Sequence, residues 1–404
     1  MAFVGILGYA YLVGWENAAL MAGMEPFSQT AYHPITAVPL FLLMGAIVSV
    51  TGISTDLYDA ARKWIGQVRG GLAMATVAAC GGFAAICGDS IATAVTMGKV
   101  AFPEMKRYNY DAKLAVGSIA AGGTIGILIP PSLGFILYGI LTEQSIGQLF
   151  IAGIVPGILE VLFYMVTIFF ICRINPLLGP PGPRVAFREK VVGLKNIWPM
   201  LVIFLLIIVG LYAGIFTPTE AGAIGAFGAV VVTLVLRRLK WNYFSEAVTE
   251  TAGNTSMIVF LLIGAFMLTR FLTVSQLPVM LGQFIVGLQV PKLLILLAII
   301  GFYLITGCFL DVLAAIILTL PITYPIIIAL GYNPIWWGVI MVRVMEVGMI
   351  SPPIGINVFV LAKTTDTSIG TIYRGVLPFI VADIVHIALL VAVPELSLFL
   401  VKLM

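Results

Sequence analysis

The second half of the sequence repeats the first at one constant shift, and the residues that recur are those that bend or interrupt a helix. Asp89 meets Asp311, Pro103 meets Pro325 and Tyr110 meets Tyr332. Gly126 meets Gly348, and the pair Pro130–Pro131 meets Pro352–Pro353. Thr142, Gly153 and Pro156 then meet Thr364, Gly375 and Pro378 without a gap. Further upstream, FLLMGA at 41–46 resembles FLLIGA at 260–265, at a slightly shorter shift. Chance matching in an apolar chain would favour Leu, Ile and Val. Matches at Pro, Gly and Asp mark a shared backbone path instead. The chain therefore reads as two copies of one unit, 1–172 and 197–404, joined by a Pro/Gly-rich, basic linker at 173–196.

The solvent of these units follows from composition. Hydrophobic residues make up 61% of the chain and charged residues 10%, where a soluble domain carries about 25% charged. Such a chain cannot maintain a charged surface in water, so its solvent is mostly lipid. A net charge of +3 leaves no footprint for nucleic acid. Cys80, Cys87, Cys172 and Cys308 lie in or beside apolar stretches without CxxC spacing, which reads as small buried hydrophobes. The opening stretch 1–14 lacks the basic start and polar cleavage region of a signal peptide. It is also short for a span, so a longer natural N-terminus or an incomplete first helix is expected.

Orientation comes from the cations. Arg62, Lys63 and Arg69, the group Lys99 to Lys113, the linker bases Arg173 to Lys195, Arg237, Arg238 and Lys240, and Lys363 with Arg374 fall in one alternate set of loops. Lys292 and Lys402 fall in the other, and Arg270 and Arg343 lie inside apolar segments. That bias, positive on the cytoplasmic side, holds only if two apolar stretches do not cross. Segment 70–98 must enter from the cytoplasm and return; segment 291–330 must enter from outside and return. The expected fold class is an all-α polytopic membrane protein of two inverted repeats. Each carries a re-entrant helical hairpin (70–98, 291–330) and a transmembrane helix broken at Pro-Pro (112–141, 336–362). Amphipathic, charged 54–68 and 238–251 read as interfacial helices.

Inverted repeats with broken helices characterise secondary transporters, with the site near the midplane at the repeat interface. Paired prolines remove two backbone donors and disfavour helix before them, and freed carbonyls can then coordinate a cation. Hard cations want oxygen ligands. Gly88, Ser90, Gly122, Thr124 and Gly126 are candidates for one such site, and Gly307, Gly348 and Ser351 for its mate. Asp89 and Asp311 have two open readings, caps of the returning hairpin helices or cation ligands. Ser132 and Asn357 follow the proline pairs Pro130–Pro131 and Pro352–Pro353, so they could touch substrate or bond the broken backbone. Arg343 and Glu346 are spaced to pair on one helix face, with a substrate carboxylate as the other use of Arg343. Arg270 reads as snorkelling, the isolated His33 and His386 as structural or interfacial, and Glu220 as a helix start after Thr219.

PEMKRYNYD and GILIPPS within 88–157, GIFTPTEAGA at 214–223 and EVGMISPPIGIN at 346–357 give a family resemblance. The chain resembles the large membrane subunit of tripartite ATP-independent periplasmic (TRAP) transporters over nearly its whole length. The resemblance implies a sodium-driven elevator carrier of the ion-transporter superfamily. It also implies a small four-helix membrane subunit and a soluble periplasmic substrate-binding protein as partners. Sodium ions are implied around Gly88, Asp89, Ser90 and Gly122 to Gly126, and around Thr306, Gly307, Gly348 and Ser351, with Asp311 at the second tip. Many members have a serine-rich first hairpin turn; here it reads Cys87-Gly88-Asp89-Ser90.

The expected activity is Na⁺-coupled uptake of a small organic anion of the carboxylate class across the bacterial inner membrane. Pro131, Ser132, Pro353, Asn357 and Arg343 are the candidate substrate contacts. The rival is a stand-alone divalent-anion carrier of the same superfamily, driven by Na⁺ or H⁺. An intramembrane enzyme would need a metal motif or a nucleophile–base pair, and two distant histidines without HExxH supply neither.

Overall fold

A computed structural model describes residues 1–287 and 290–404, and the described residues contain helices and no strand. The chain opens with α1 (Ala2–Val13), α2 (Trp15–Thr30), α3 (Ala37–Val50) and the amphipathic α4 (Ile53–Ile65). Helices α5 (Gly71–Cys87) and α6 (Ser90–Arg107) form a tightly turned pair. Helices α7 (Ala112–Thr124) and α8 (Leu133–Thr142) are two pieces of one interrupted helix, followed by α9 (Ile146–Ile174). Helices α10 (Phe187–Tyr212) and α11 (Pro218–Val235) lead into the second half. The order then recurs. After α12 (Trp241–Ser275) and α13 (Leu277–Gly287) come the pair α14 (Lys292–Phe309) and α15 (Val312–Ala329). The interrupted helix α16 (Pro334–Ile350) and α17 (Ile356–Thr365) follows, then α18 (Ile369–Ala392) and α19 (Glu395–Lys402).

Equivalent residues make equivalent boundaries. Asn109 (φ 55°) and Gly331 (φ 83°) both take left-handed backbone before an interrupted helix. Asp111 then caps α7 by accepting from Lys113 N–H at 2.9 Å, and Asn333 caps α16 by accepting from Ile335 N–H at 2.9 Å. Both proline pairs, Pro130–Pro131 and Pro352–Pro353, sit in the breaks as cis peptides.

The halves interlock. Within each, the entering hairpin helix packs on the first piece of its own interrupted helix, α5 on α7 and α14 on α16. The returning helix packs on the second piece of the other half's, α6 on α17 and α15 on α8. Helices α7 and α18 cross where Gly117 and Gly375 touch. A Cβ at Gly117 would lie 2.3 Å from the Gly375 carbonyl oxygen, so only glycine allows that approach. Around this centre, α1 packs on α12, and α3 on α11 and α12. Among the described residues, seven helices are long and apolar enough to cross a membrane.

Helix α4 buries Ile53, Leu57, Tyr58 and Ala60 and turns its charges outward. Asp59 there pairs with Lys63 and Arg62, each at 2.6 Å. Partial burial opposes ionisation of Asp59, but those two cations outweigh it and hold the carboxyl below its usual range.

Several expectations need correction. Residues 238–251 are not a separate interfacial helix. Trp241–Ser275 is one continuous helix of 35 residues, about 52 Å long at 1.5 Å per residue. That exceeds a hydrocarbon core of about 30 Å, so its charged first turns extend from a span. The expected linker is half helix: residues 187–196 are the first turns of α10. The rest is strapped beneath the first hairpin, with Gly70 N–H donating to Gly179 O and Gly182 N–H to Gly66 O, both at 2.8 Å. Arg270 pairs with Glu25 of α2 at 3.4 Å rather than only snorkelling. Glu220 does mark a helix start, in a capping box with Thr217. All four cysteines are buried and free.

Candidate functional site

Each hairpin tip is built by one residue that ends a helix and one that begins the next. Gly88 ends α5 in left-handed backbone at φ 64°. Asp89 begins α6, its Oδ1 accepting from Ala92 N–H at 2.6 Å. At the second tip Asp311 begins α15, its Oδ2 accepting from Leu313 N–H at 3.1 Å. The capping reading of both aspartates is therefore present in the structure.

The tips lock onto the helix breaks. Pro-Pro leaves backbone groups without helical partners, which apolar surroundings would make costly. Leu133 N–H, just past the first break, donates to Gly88 O at 3.3 Å; Gly355 N–H, just past the second, donates to Cys308 O at 3.0 Å. Glycines permit the approach. A Cβ on Gly88 would lie 2.4 Å from Pro131 O, one on Gly126 2.6 Å from Asp89 O, and one on Gly348 2.6 Å from the Gly307 carbonyl carbon.

Both tips face one cavity of about 710 Å³. Asp89 and Asp311 line it together with Ser49, Thr96 and Lys99, and with Glu246, Glu250 and Asn254 of α12. Among the described lining residues Lys99 is the one cation against four carboxylates.

The other candidates divide. Ser90 is buried at the first tip and donates to Glu346 Oε1 at 2.9 Å. Gly122 packs on Cys80 of α5. The Thr124 hydroxyl is engaged with Ala121 O, Glu160 Oε1 at 3.0 Å and Tyr164 at 2.9 Å, turned from the tip. Thr306 and Ser351 bond back to their own helices, at Phe302 O and Val347 O. Gly307 packs against Met345 O. Ser132 is fully buried and caps α8 through Phe135 N–H at 3.2 Å. Pro131 presents its carbonyl to Gly88, whereas Pro353 is exposed and its carbonyl accepts from Tyr373 at 2.9 Å. Asn357, fully buried just past the second break, has neither amide atom hydrogen-bonded among the described residues.

Arg343 and Glu346 do not pair. Arg343 is fully buried, 3.1 Å from Glu160 of α9 and bonded to Asp383 of α18. Its Nε donates to His386 Nδ1 at 3.2 Å, so His386 is not isolated. Side chains three positions apart on a helix diverge by about 60° around its axis, and these two point toward different neighbours. Arg343 does not line the cavity. Glu160 and Asp383 were legible as intramembrane acids in apolar runs and were missed; the α12 acids were masked by their assignment to a surface helix.

Residues 1–396 match the family described as the tripartite ATP-independent periplasmic transporter, DctM component. The chain belongs to this family. The C4-dicarboxylate TRAP transporter large permease protein DctM of Pseudomonas aeruginosa is 37% identical over 374 residues, 92% of this chain and 87% of that protein. The isethionate TRAP transporter permease protein DctMQ of Oleidesulfovibrio alaskensis is 33% identical over 410 residues, 98% of this chain and 64% of that one. The crystal structure of the Alcanivorax borkumensis YdaH transporter shares the fold, with a TM-score of 0.68 at 16% identity, covering 94% of this chain and 88% of that one. As a TRAP large component with multiple apolar spans, the protein is a multi-pass inner-membrane transporter and not an enzyme. It is one part of a tripartite system, by the family's own description.

Proposed function

We propose that this TRAP large subunit carries out Na⁺-coupled uptake of a small organic anion handed over by a periplasmic binding protein, together with a small four-helix membrane subunit. The observation that supports this reading most is the sharing of one cavity by both hairpin tips, each capped by an aspartate.

The donor chemistry fits a hard cation. Gly88, Asp89, Ser90, Gly122 and Gly126 at the first tip, and Thr306, Gly307, Asp311, Gly348 and Ser351 at the second, offer carbonyl, hydroxyl and carboxylate oxygens, drawn close at tip glycines where a Cβ would clash with neighbouring backbone. Bound there, Na⁺ supplies positive charge that offsets the tip carboxylates. Four carboxylates against one ammonium repel an anion from the cavity. Ions at both tips cut that formal excess from three negative charges to one and so weaken the repulsion, and coupling arises from the lining charges themselves. Lys99 offers the anion a positive side chain on the side that the cation bias makes cytoplasmic, and Ser132 and Asn357 stand behind the tips beside the breaks. Movement of the interlocked hairpins and interrupted helices against α3, α4 and α12 then exposes the cavity to the other side, as an elevator. Ions drive such a change only through unequal affinity for the two states.

The relatives' names include a dicarboxylate and a sulfonate transporter, so the substrate is assigned as a small organic anion, a carboxylate foremost. The test is uptake into proteoliposomes holding this chain and its small partner, with the binding protein outside. Accumulation that needs both an inward Na⁺ gradient and the binding protein supports the assignment. Uptake without the binding protein, or driven by a proton gradient alone, overturns it.

A further inference from the structure

The contact between Ser90 and Glu346 joins the two candidate cation sites, and it does so in one direction only. Ser90 stands at the first tip, and its hydroxyl donates to Glu346 Oε1 at 2.9 Å. Glu346 belongs to the other half, on α16 just before Gly348. Gly348 packs directly on Gly307 of the second tip. The position equivalent to Glu346 in the first repeat is Thr124, and it makes no matching reach to the second hairpin. Thr124 bonds to Glu160 and Tyr164 instead.

Glu346 is fully buried, and its Oε2 has no partner among the described residues. A buried acid with one orphaned oxygen is a cost that a purely structural position avoids. Both ends of the contact are stiff. Gly126 holds the Asp89–Ser90 backbone, and Gly307 holds α16 at Met345 and Gly348. A shift of the first tip therefore reaches the second break through two side chains and one rigid helix turn.

We propose that Glu346 is a positioning residue: its hydrogen bond to Ser90 transmits the ordering of the first tip to the second, making occupancy of the two cation sites cooperative. This rests on the reading of both tips as Na⁺ sites.

Two substitutions separate reach from charge. Glu346→Gln keeps the length and the acceptor oxygen but loses the charge. Glu346→Asp keeps the charge but falls short of Ser90 by one methylene. Initial uptake is measured against external Na⁺ in proteoliposomes containing the chain, its small membrane partner and saturating binding protein, with reconstituted protein quantified for each variant. The wild type gives a sigmoid with a Hill coefficient approaching about 2, the limit for two sites. E346Q retains it. E346D flattens it to about 1 and raises half-saturating Na⁺ about fivefold or more, the low end of typical coupling. A flattened curve in E346Q with a preserved one in E346D assigns the effect to charge and overturns the proposal, as do two unchanged curves. Should E346D not reach the membrane, E346M, which keeps the volume without the acceptor, takes its place with the same expectation. A wild-type rate indifferent to Na⁺ instead defeats the two-site reading, before any variant is compared.

Discussion

Asp89 and Asp311, equivalent positions of the two repeats, cap the returning helices of two different hairpins and line the same cavity. A cap and a cation ligand place different demands on the side chain. Asparagine caps a helix about as well as aspartate, whereas alanine costs about 1 kcal/mol. Asp89→Asn and Asp311→Asn should therefore leave the melting temperature in detergent unchanged and raise half-saturating Na⁺ for uptake by about tenfold, equivalent to about 1.4 kcal/mol of ion affinity. Na⁺ curves that overlay the wild type in both variants would reduce the aspartates to caps.

The glycines at the tips give a second prediction. Gly88 combines left-handed backbone with a Cβ position 2.4 Å from Pro131 O, and a Cβ on Gly348 would meet Gly307 backbone at 2.6 Å. Backbone on both sides cannot move aside as a flexible side chain can. Gly88→Ala and Gly348→Ala should each lower uptake by at least about tenfold, the cost of a single strained contact of about 1.4 kcal/mol or more. Gly253 is the control. It lies in α12 with nothing within 4 Å of its Cβ position, so Gly253→Ala should gain up to about 1 kcal/mol of helix stability. Uptake and thermal melting on the same preparations compare them. Equal uptake in all three would remove the tip-to-break contact from the mechanism.

The tip-and-break geometry was legible because it is local. Pro-Pro, the neighbouring glycines and the capping aspartates dictate backbone path within a few residues, and the repeat doubled the signal at Gly126 and Gly348. The partners of Arg343 were not legible, because spacing along one helix says only which residues can meet. Glu160 and Asp383 reach it from α9 and α18, which only packing brings together. Helix α12 was misread for a related reason. Its acids looked like the polar face of a surface helix, but a helix longer than the membrane is thick carries charge beyond the span, and here Glu246 and Glu250 face the cavity.

Lys99 tests the electrostatics of the cavity on its cytoplasmic side. It is exposed on α6, lines the cavity, and makes no salt bridge among the described residues. Lys99→Gln should raise the apparent KM for substrate offered from the cytoplasmic side, measured by counterflow, about threefold to tenfold with little change in maximal rate, the pattern of a lost ground-state contact. Raising ionic strength from low to about 0.5 M should narrow the gap between wild type and variant, because exposed charges are screened over about 10 Å or less. A lowered maximal rate at unchanged KM would remove Lys99 from direct contact with the anion.

Arg343 separates a structural charge from a substrate-binding one. Two buried carboxylates, Glu160 and Asp383, share its guanidinium. Removing one partner of a buried ion pair costs about 3–5 kcal/mol, because the remaining charge stays in a low-dielectric interior. Arg343→Met should therefore deplete the protein from the membrane and lower its melting temperature in detergent. Neutralising the acids along with the base removes that penalty, since buried ionic clusters replaced as a set are often neutral in stability. The triple variant R343M/E160Q/D383N should then recover wild-type abundance and Na⁺-driven uptake. Were Arg343 to hold the substrate anion instead, the triple variant would regain its fold and abundance while uptake stayed abolished. Abundance and uptake measured side by side therefore distinguish the two roles, and the burial of Arg343 outside the cavity favours recovery of both.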